Sequence, residues 1–233
     1  MAVDLAEPGQ DWRELVLEAK EPPERVPRMY TRVAPVYEAW ARATESKARR
    51  RVLELADVRP GEDALEVATG TGVQLVRLAR ANATGRTVGV EISPGMLAQT
   101  RRHLERAGLA ETVRVLDASA LELPLADESF DLLVNSYMVD LLPRDEIPRA
   151  LAEFKRVLKP GGRLVLSNMT KGERRTHRIW DWAYAHGFVV TANCRGVLAE
   201  PVLRELDFMD VTREYLAQML FPTEIVAARK EDR

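Results

Sequence analysis

Apolar and polar positions change rhythm twice along this 233-residue chain. From about Pro27 to Leu55 the apolar residues Met29, Val33, Val36, Tyr37 and Trp40 recur at helical spacing and lead into a basic stretch from Lys47 to Arg51. This predicts two helices packed over whatever follows. Ahead of them, a polar start through Gln10 and a short helical run from Trp12 to Lys20, stopped by Glu21-Pro22-Pro23, read as an arm. After the turn residues Arg59-Pro60-Gly61, short apolar runs alternate with amphipathic ones. The pattern predicts strand 63–68, helix 73–82, strand 87–91, helix 95–107, strands 113–116 and 130–136, and helix 144–158. A turn at Lys159-Pro160-Gly161-Gly162 and a strand over 163–168 follow. Short apolar strands separated by helices of this length predict a parallel sheet covered on both faces. The rhythm changes again beyond Thr170, with a mixed segment to Leu198, a helix over 200–206 and two strand candidates, 210–218 and 223–228. The short Met219–Pro222 connection between those two strands suggests an edge hairpin.

Residues 1–58 thus read as an arm with lid helices and 59–233 as the core, including an acceptor-side segment 170–200, in one structural domain. Apolar residues make up 46% and charged residues 30% of the chain, enough for one sizeable core. With a net charge of -2 there is no global basic field to hold a nucleic-acid backbone, which argues against such a partner. The one cysteine, Cys194, can form neither an intrachain disulfide nor a metal cluster alone, so a reducing, cytoplasmic setting and no metal are expected. No basic leader with a long apolar run opens the chain, and no stretch approaches the roughly 18 apolar residues of a membrane span.

Candidate chemistry concentrates in Leu65-Glu66-Val67-Ala68-Thr69-Gly70-Thr71-Gly72, a strand running into a glycine-containing turn and then a helix. Such a turn lets the backbone approach a nucleotide-like cofactor, and it serves equally as an ordinary tight turn. The next strand ends in Glu91, 19 positions after Gly72, close to the spacing at which a carboxylate accepts ribose hydroxyls; a surface glutamate at a strand end is the ordinary alternative. In a dinucleotide fingerprint a third glycine would occupy the position of Leu75, which counts against NAD or FAD. Asp117 follows the third strand, where an acid accepts from an adenine amino group or caps a helix.

Four segments in order, LEVATGTG, VGVEISPGML, DASALELPLADESFD and LKPGGRLVLSN, resemble the class I S-adenosylmethionine-dependent methyltransferases, and within them the ubiquinone/menaquinone-biosynthesis-like group acting on small molecules. The likeness spans about residues 63–168. Upstream, Tyr30 to Tyr37 (YTRVAPVY) resembles that group's N-terminal tyrosine motif, and the C-terminal hairpin resembles the antiparallel seventh strand of the fold. The resemblance implies a Rossmann-like, doubly wound α/β sheet of seven strands, mostly parallel, with N-terminal helices added. It implies S-adenosyl-L-methionine as cofactor and S-adenosyl-L-homocysteine as product. Glu66, Ala68, Gly70 and Gly72 would border the methionine and ribose parts, Glu91 would hold the ribose hydroxyls, and Ile92 and Met96 would flank the adenine. Asp117 and Ala118 would touch its edge, Asn135 would lie beside the methionine, and Tyr30 and Tyr37 would close over the cofactor. Two positions depart from the family pattern: Ala68 stands where glycine is usual, and Glu66 where aspartate is frequent.

Methyl transfer from a sulfonium needs position and desolvation more than a nucleophilic side chain, and a base only where the acceptor carries a proton. Asp140, after the fourth strand, and His177, among Arg174, Arg175 and Arg178, are the candidates for that base, with a loop or cap acid and a solvated polar residue as their ordinary readings. His103 reads as a surface residue, and nothing in the spacing of His186 or Cys194 argues for catalysis. The tract Lys171–Phe188 mixes cations with Trp180, Trp182 and Tyr184, and reads as sheet-covering packing, a lid over an amphipathic acceptor, or a peripheral membrane contact. The acceptor is expected to be small, of amphipathic, quinone or lipid-like type. A cofactor-binding protein without transfer activity and an NAD-dependent oxidoreductase are the alternatives, and a homodimer is compatible with all three.

Overall fold

The computed structural model describes residues 11–16, 18–20, 24–174, 176–186 and 195–232. The start of the arm, Glu21-Pro22-Pro23, Arg175, Phe188 and Cys194 lie outside them.

Three helices precede the sheet: α1 (Trp12–Leu15), α2 (Val26–Thr44) and α3 (Ser46–Ala56). Then follow β1 (Asp63–Val67), α4 (Val73–Ala81), β2 (Arg86–Glu91), α5 (Pro94–Ala107), β3 (Val113–Asp117) and β4 (Phe130–Ser136). After a one-turn 3-10 helix at Val139–Leu141 come α6 (Glu146–Val157), β5 (Leu158–Met169), α7 (Ile179–Ala185), α8 (Ala199–Glu205), β6 (Met209–Gln218) and β7 (Phe221–Arg229). The seven strands lie in the order β3-β2-β1-β4-β5-β7-β6. β1 to β5 are mutually parallel, and β7 inserts antiparallel between β5 and β6.

Period-two alternation in the central strands assigns side chains to two faces. Leu65, Val67, Leu133, Leu164 and Leu166 pack with Ile147 and Leu151 of α6 and Val202 of α8. Ala64, Leu132, Val134 and Val165 face the other way, onto Ala48 and Val52 of α3 and the apolar side of α2. Burial on both faces is why these strands read as nearly continuous apolar runs. Chain direction reverses its walk across the sheet between β1 and β4, and the crevice at their carboxyl ends is where such folds bind ligands.

Three local expectations change. Lys159-Pro160-Gly161-Gly162 is the start of β5 rather than a turn: Leu158 already pairs with Phe130, and a bulge before Leu132 accommodates Pro160, with Gly161 at φ 70°. α1 stops at Leu15, four residues into its run, because burying both Trp12 and Val16 draws the chain into an extended conformation at Val16. The hairpin connection is only Met219-Leu220, since Gln218 pairs with Phe221.

Candidate functional site

β1 ends at Val67 and the chain turns through three left-handed residues: Ala68 at φ 59°, Gly70 at 57° and Gly72, which caps α4, at 81°. Alanine carries a Cβ penalty in that region, so Ala68 is strained where glycine would not be. A Cβ on Gly70 would meet nothing within 4 Å, because the residue faces open space, whereas one on Gly72 would lie 2.8 Å from the Cα of Thr100. The first glycine keeps a cradle clear and the second lets α4 and α5 approach. Thr100 Oγ1 donates to the Gly70 carbonyl at 2.8 Å, which ties the turn to α5.

Glu91, the last residue of β2, is buried and accepts backbone N–H bonds from Gly70 (2.8 Å), Ile92 (3.0 Å) and Ser93 (2.8 Å). Burial raises its pKa, those three N–H groups oppose the rise, and Asp117 adds to it. The carboxylate thus fastens the Gly70 turn to the end of β2 while lining the space above it.

That space is a pocket partly open to solvent, lined by the ends of the strands and by α2. Its floor is Val67, Ala68, Gly70, Val90 and Glu91 from the ends of β1 and β2. One wall is Ile92, Met96 and Ala118 to Leu121, and the other is Ser136 to Met138 with Leu141 to Pro143 and Glu146. The roof is α2, which brings Val26, Pro27, Tyr30 and Tyr37, the two tyrosines meeting edge to face at 5.6 Å. α2 is pinned to the start of α5 by Thr31, whose hydroxyl lies 3.0 Å from Ser93 Oγ and accepts from the Gly95 N–H at 3.2 Å.

Of the residues singled out from sequence, Tyr30, Tyr37, Ala68, Gly70, Glu91, Ile92, Met96 and Ala118 line this pocket. Gly72 lies behind the turn and Asp117 is exposed at the end of β3. Asn135 is buried in β4 and donates from Nδ2 to the Val67 carbonyl at 2.8 Å, locking the ends of β1 and β4 together. Glu66 is buried directly below the turn. Its Oε2 has no hydrogen-bond partner among the described residues, and its pKa is pushed up to about 8, chiefly by burial, with Arg49 pulling it down and Glu91 adding to the rise.

Asp140 and His177 stand outside the lining. Asp140 is buried in the 3-10 turn, where Arg195, itself buried, donates to its main-chain carbonyl at 2.7 Å and to that of Leu142. His177 is buried against Tyr215, its Nδ1 2.6 Å from the phenol oxygen, with the rings stacked at 5.9 Å. His103 contacts the Thr71 carbonyl and is half-buried rather than a surface residue.

Arg49 escaped the sequence reading. It lines the pocket from α3, where Glu45 binds it at 2.7 Å; burial disfavours its charge, and Glu45 outweighs that and keeps the guanidinium protonated. Tyr37 donates to the same Glu45 at 3.2 Å, so roof and wall share one carboxylate. The signal was present as a Glu-to-Arg pair four residues apart on the face that carries Ala48 and Val52, but the surrounding arginines hid it.

Comparison with known proteins agrees with this geometry. The profile of the methyltransferase domain family matches residues 64–162. A demethylmenaquinone methyltransferase of Symbiobacterium thermophilum is 30% identical over 175 residues, covering 73% of this chain and 69% of that protein. A 2-phytyl-1,4-naphtoquinone methyltransferase of Nostoc punctiforme is 29% identical over 181 residues, covering 75% and 78% respectively. Among solved structures, the [4+2]-cyclase SpnF superposes with a TM-score of 0.74 at 23% identity over 94% of this chain and 99% of that one, a likeness of fold. Leu75, the residue that displaces the third glycine of a dinucleotide site, is fully buried against Gly89, where a Cβ would lie 2.7 Å from it. The chain therefore belongs to the class I S-adenosylmethionine-dependent methyltransferases, in the ubiquinone/menaquinone-biosynthesis-like group, and is an enzyme that uses S-adenosylmethionine.

Proposed function

We propose that the enzyme methylates a small amphipathic acceptor of quinone type, with the cofactor lying along the ends of β2, β1 and β4 beneath α2. The observation that carries this reading is the make-up of one continuous pocket: a carboxylate floor at Glu91, a cation at Arg49, and walls that are mainly apolar and aromatic, with Ser93, Ser119, Ser136 and Glu146 the other polar members.

The residues fit the cofactor group by group. Glu91 would accept the ribose hydroxyls, and Ile92, Met96 and Ala118 offer apolar contacts for the purine, with Asp117 at the sheet edge beyond them. The partnerless oxygen of Glu66 suits a buried ammonium, and Arg49 suits the carboxylate of the same amino acid. Ala68, Gly70 and Gly72 keep the backbone close beneath, with Asn135 holding the two strand ends at the methionine side. Tyr30 and Tyr37 close the roof and exclude water. When bound, the cofactor supplies an electrophilic methyl on a sulfonium with a neutral leaving group; the protein's share is orientation and exclusion of solvent. The acceptor then meets Tyr30, Met138, Leu141 and Leu142, a mainly apolar surface suited to a ring or alkyl chain.

Where the acceptor loses a proton, Asp140 and His177 are the proposed routes, both outside the pocket lining. Residues 1–58 are proposed as arm and lid of the same structural domain as the core, supported by the Thr31 contacts to α5. Among the described residues no helix is long and apolar enough to cross a membrane. The lone Cys194 supports a cytoplasmic setting.

An acceptor screen tests the reading: purified enzyme with S-adenosylmethionine is offered demethylated naphthoquinols, benzoquinols, catechols and primary amines, and methylated product is detected by mass. Methylation of a quinol in preference to an amine supports it. Turnover of amines with quinols inert would sink the acceptor assignment.

A further inference from the structure

The β6–β7 hairpin turns in two residues that are wrong for their place. Met219 (φ 51°) and Leu220 (φ 63°) both adopt the left-handed conformation that a two-residue turn of this type demands, a position where Asn-Gly is strongly favoured and bulky side chains are outliers. Both are also turned outward, Met219 72% and Leu220 49% exposed. Strain and apolar exposure at the same two residues point to an external use for them.

The tip belongs to a larger surface. Phe221, the next residue, packs edge-on against Trp180 of α7 at 5.4 Å and Trp40 of α2 at 6.3 Å. α7 exposes Ile179 (54%) and Trp182 (52%) from the same helix. Gln218 donates to the Ala43 carbonyl and accepts from the Lys47 N–H, which sets the tip beside the α2–α3 junction. Exposed cations fringe the patch: Arg42, Lys47 and Arg50 on the junction side, Arg174 and Arg178 before α7. Arg42 pairs with Glu38 at 3.3 Å and Arg50 lies 3.8 Å from Glu54, yet the balance stays positive: residues 38–54 and 171–182 together carry nine Lys and Arg against five Asp and Glu.

We propose that this face docks on an anionic lipid surface, with Met219, Leu220, Ile179 and Trp182 entering the headgroup layer and the cationic fringe meeting its charge. Exposed apolar side chains ringed by Arg and Lys are the chemistry of interfacial binding, and the fringe is what selects an anionic surface over a neutral one. Tyr137 connects the face to the site, since it lines the pocket and packs on Phe221 at 6.0 Å. The inference deepens the amphipathic-acceptor reading, on which it rests, by naming the surface from which such an acceptor is drawn.

The test is co-flotation of the full chain with vesicles of phosphatidylcholine alone or with a third phosphatidylglycerol, at low and high salt. The native protein is expected to float with the anionic vesicles only, and to be released by salt. Met219→Asn/Leu220→Gly removes the apolar tip while supplying the residues the turn prefers, so the variant is expected to melt higher and yet bind anionic vesicles at least tenfold more weakly. No flotation of the native protein, equal flotation with neutral vesicles, or undiminished binding by the variant would each overturn the proposal. So would a change in lipid-free self-association in the variant, which would make the face a contact between copies. Transfer to a short-chain, water-soluble quinol without vesicles reports the acceptor reading separately.

Discussion

Glu66 combines burial, a raised pKa and an oxygen without a partner among the described residues. At pH 7 a carboxyl with a pKa near 8 carries its proton, and an arriving ammonium drives that proton off. Cofactor binding at pH 7 should therefore release roughly one proton, with release fading above about pH 9, where Glu66 is already ionised. Calorimetric titrations with S-adenosylhomocysteine in phosphate and in Tris check this, since proton release makes the apparent enthalpy depend on the buffer; equal enthalpies would contradict it. The same shift has a stability consequence. The folded protein holds a proton between about pH 4.5 and 8 that the unfolded chain has lost, so stability falls as pH rises through that window. Glu66→Gln should flatten this slope, raise the melting temperature of the free protein near pH 8, and weaken S-adenosylhomocysteine by roughly tenfold, about 1.4 kcal/mol. Individual residues were legible in the sequence where main-chain demands chose them, as at Gly70 and Gly72. Arg49 was not, because its place in the pocket depends on α3 packing across β4, β5 and β7, a long-range fact that no local spacing encodes.

Among the elements, α2 is the one whose position makes the site. Its docking relies on Gly95: a Cβ there would lie 2.7 Å from the Cα of Thr31 and 2.9 Å from its carbonyl oxygen. Gly95→Ala should leave α5 as stable or more so, since alanine is the better helix former by up to about 1 kcal/mol, while displacing α2. S-adenosylhomocysteine affinity should fall roughly tenfold, about 1.4 kcal/mol, and proteolysis near Tyr30 should accelerate, with unchanged circular dichroism. The Val139–Leu142 turn is held in a comparable way, by Arg195. Arg195→Met should raise the acceptor KM several-fold with cofactor affinity nearly unchanged, because the turn shapes the wall proposed to meet the acceptor. A parallel loss of cofactor binding would contradict that division. Helices and central strands were readable because their periodicity comes from burial on known faces. The start of β5 was not, since Pro160 and two glycines announce a turn and only pairing with β4 makes them a bulged strand.

At the scale of the whole molecule, one twisted sheet brings the ends of β1, β2 and β4 together, and α2 closes over the crevice they leave. The order of motifs along the chain made this architecture legible, since each motif falls at a strand end that the doubly wound topology delivers to the same side. The wall proposed for the acceptor was less legible, because it draws on the loop after β4, and its shape follows from tertiary packing rather than from a motif. Glu91, as the floor of this pocket, is proposed to hold the ribose of S-adenosylmethionine. The most direct test of that role is a calorimetric titration with S-adenosylhomocysteine of the native enzyme and of Glu91→Ala, with folding monitored alongside. Micromolar binding by the native enzyme is expected, weakened in the variant by roughly thirtyfold, about 2 kcal/mol, in keeping with the loss of hydrogen bonds to a charged group. Undiminished binding by a folded Glu91→Ala would contradict it.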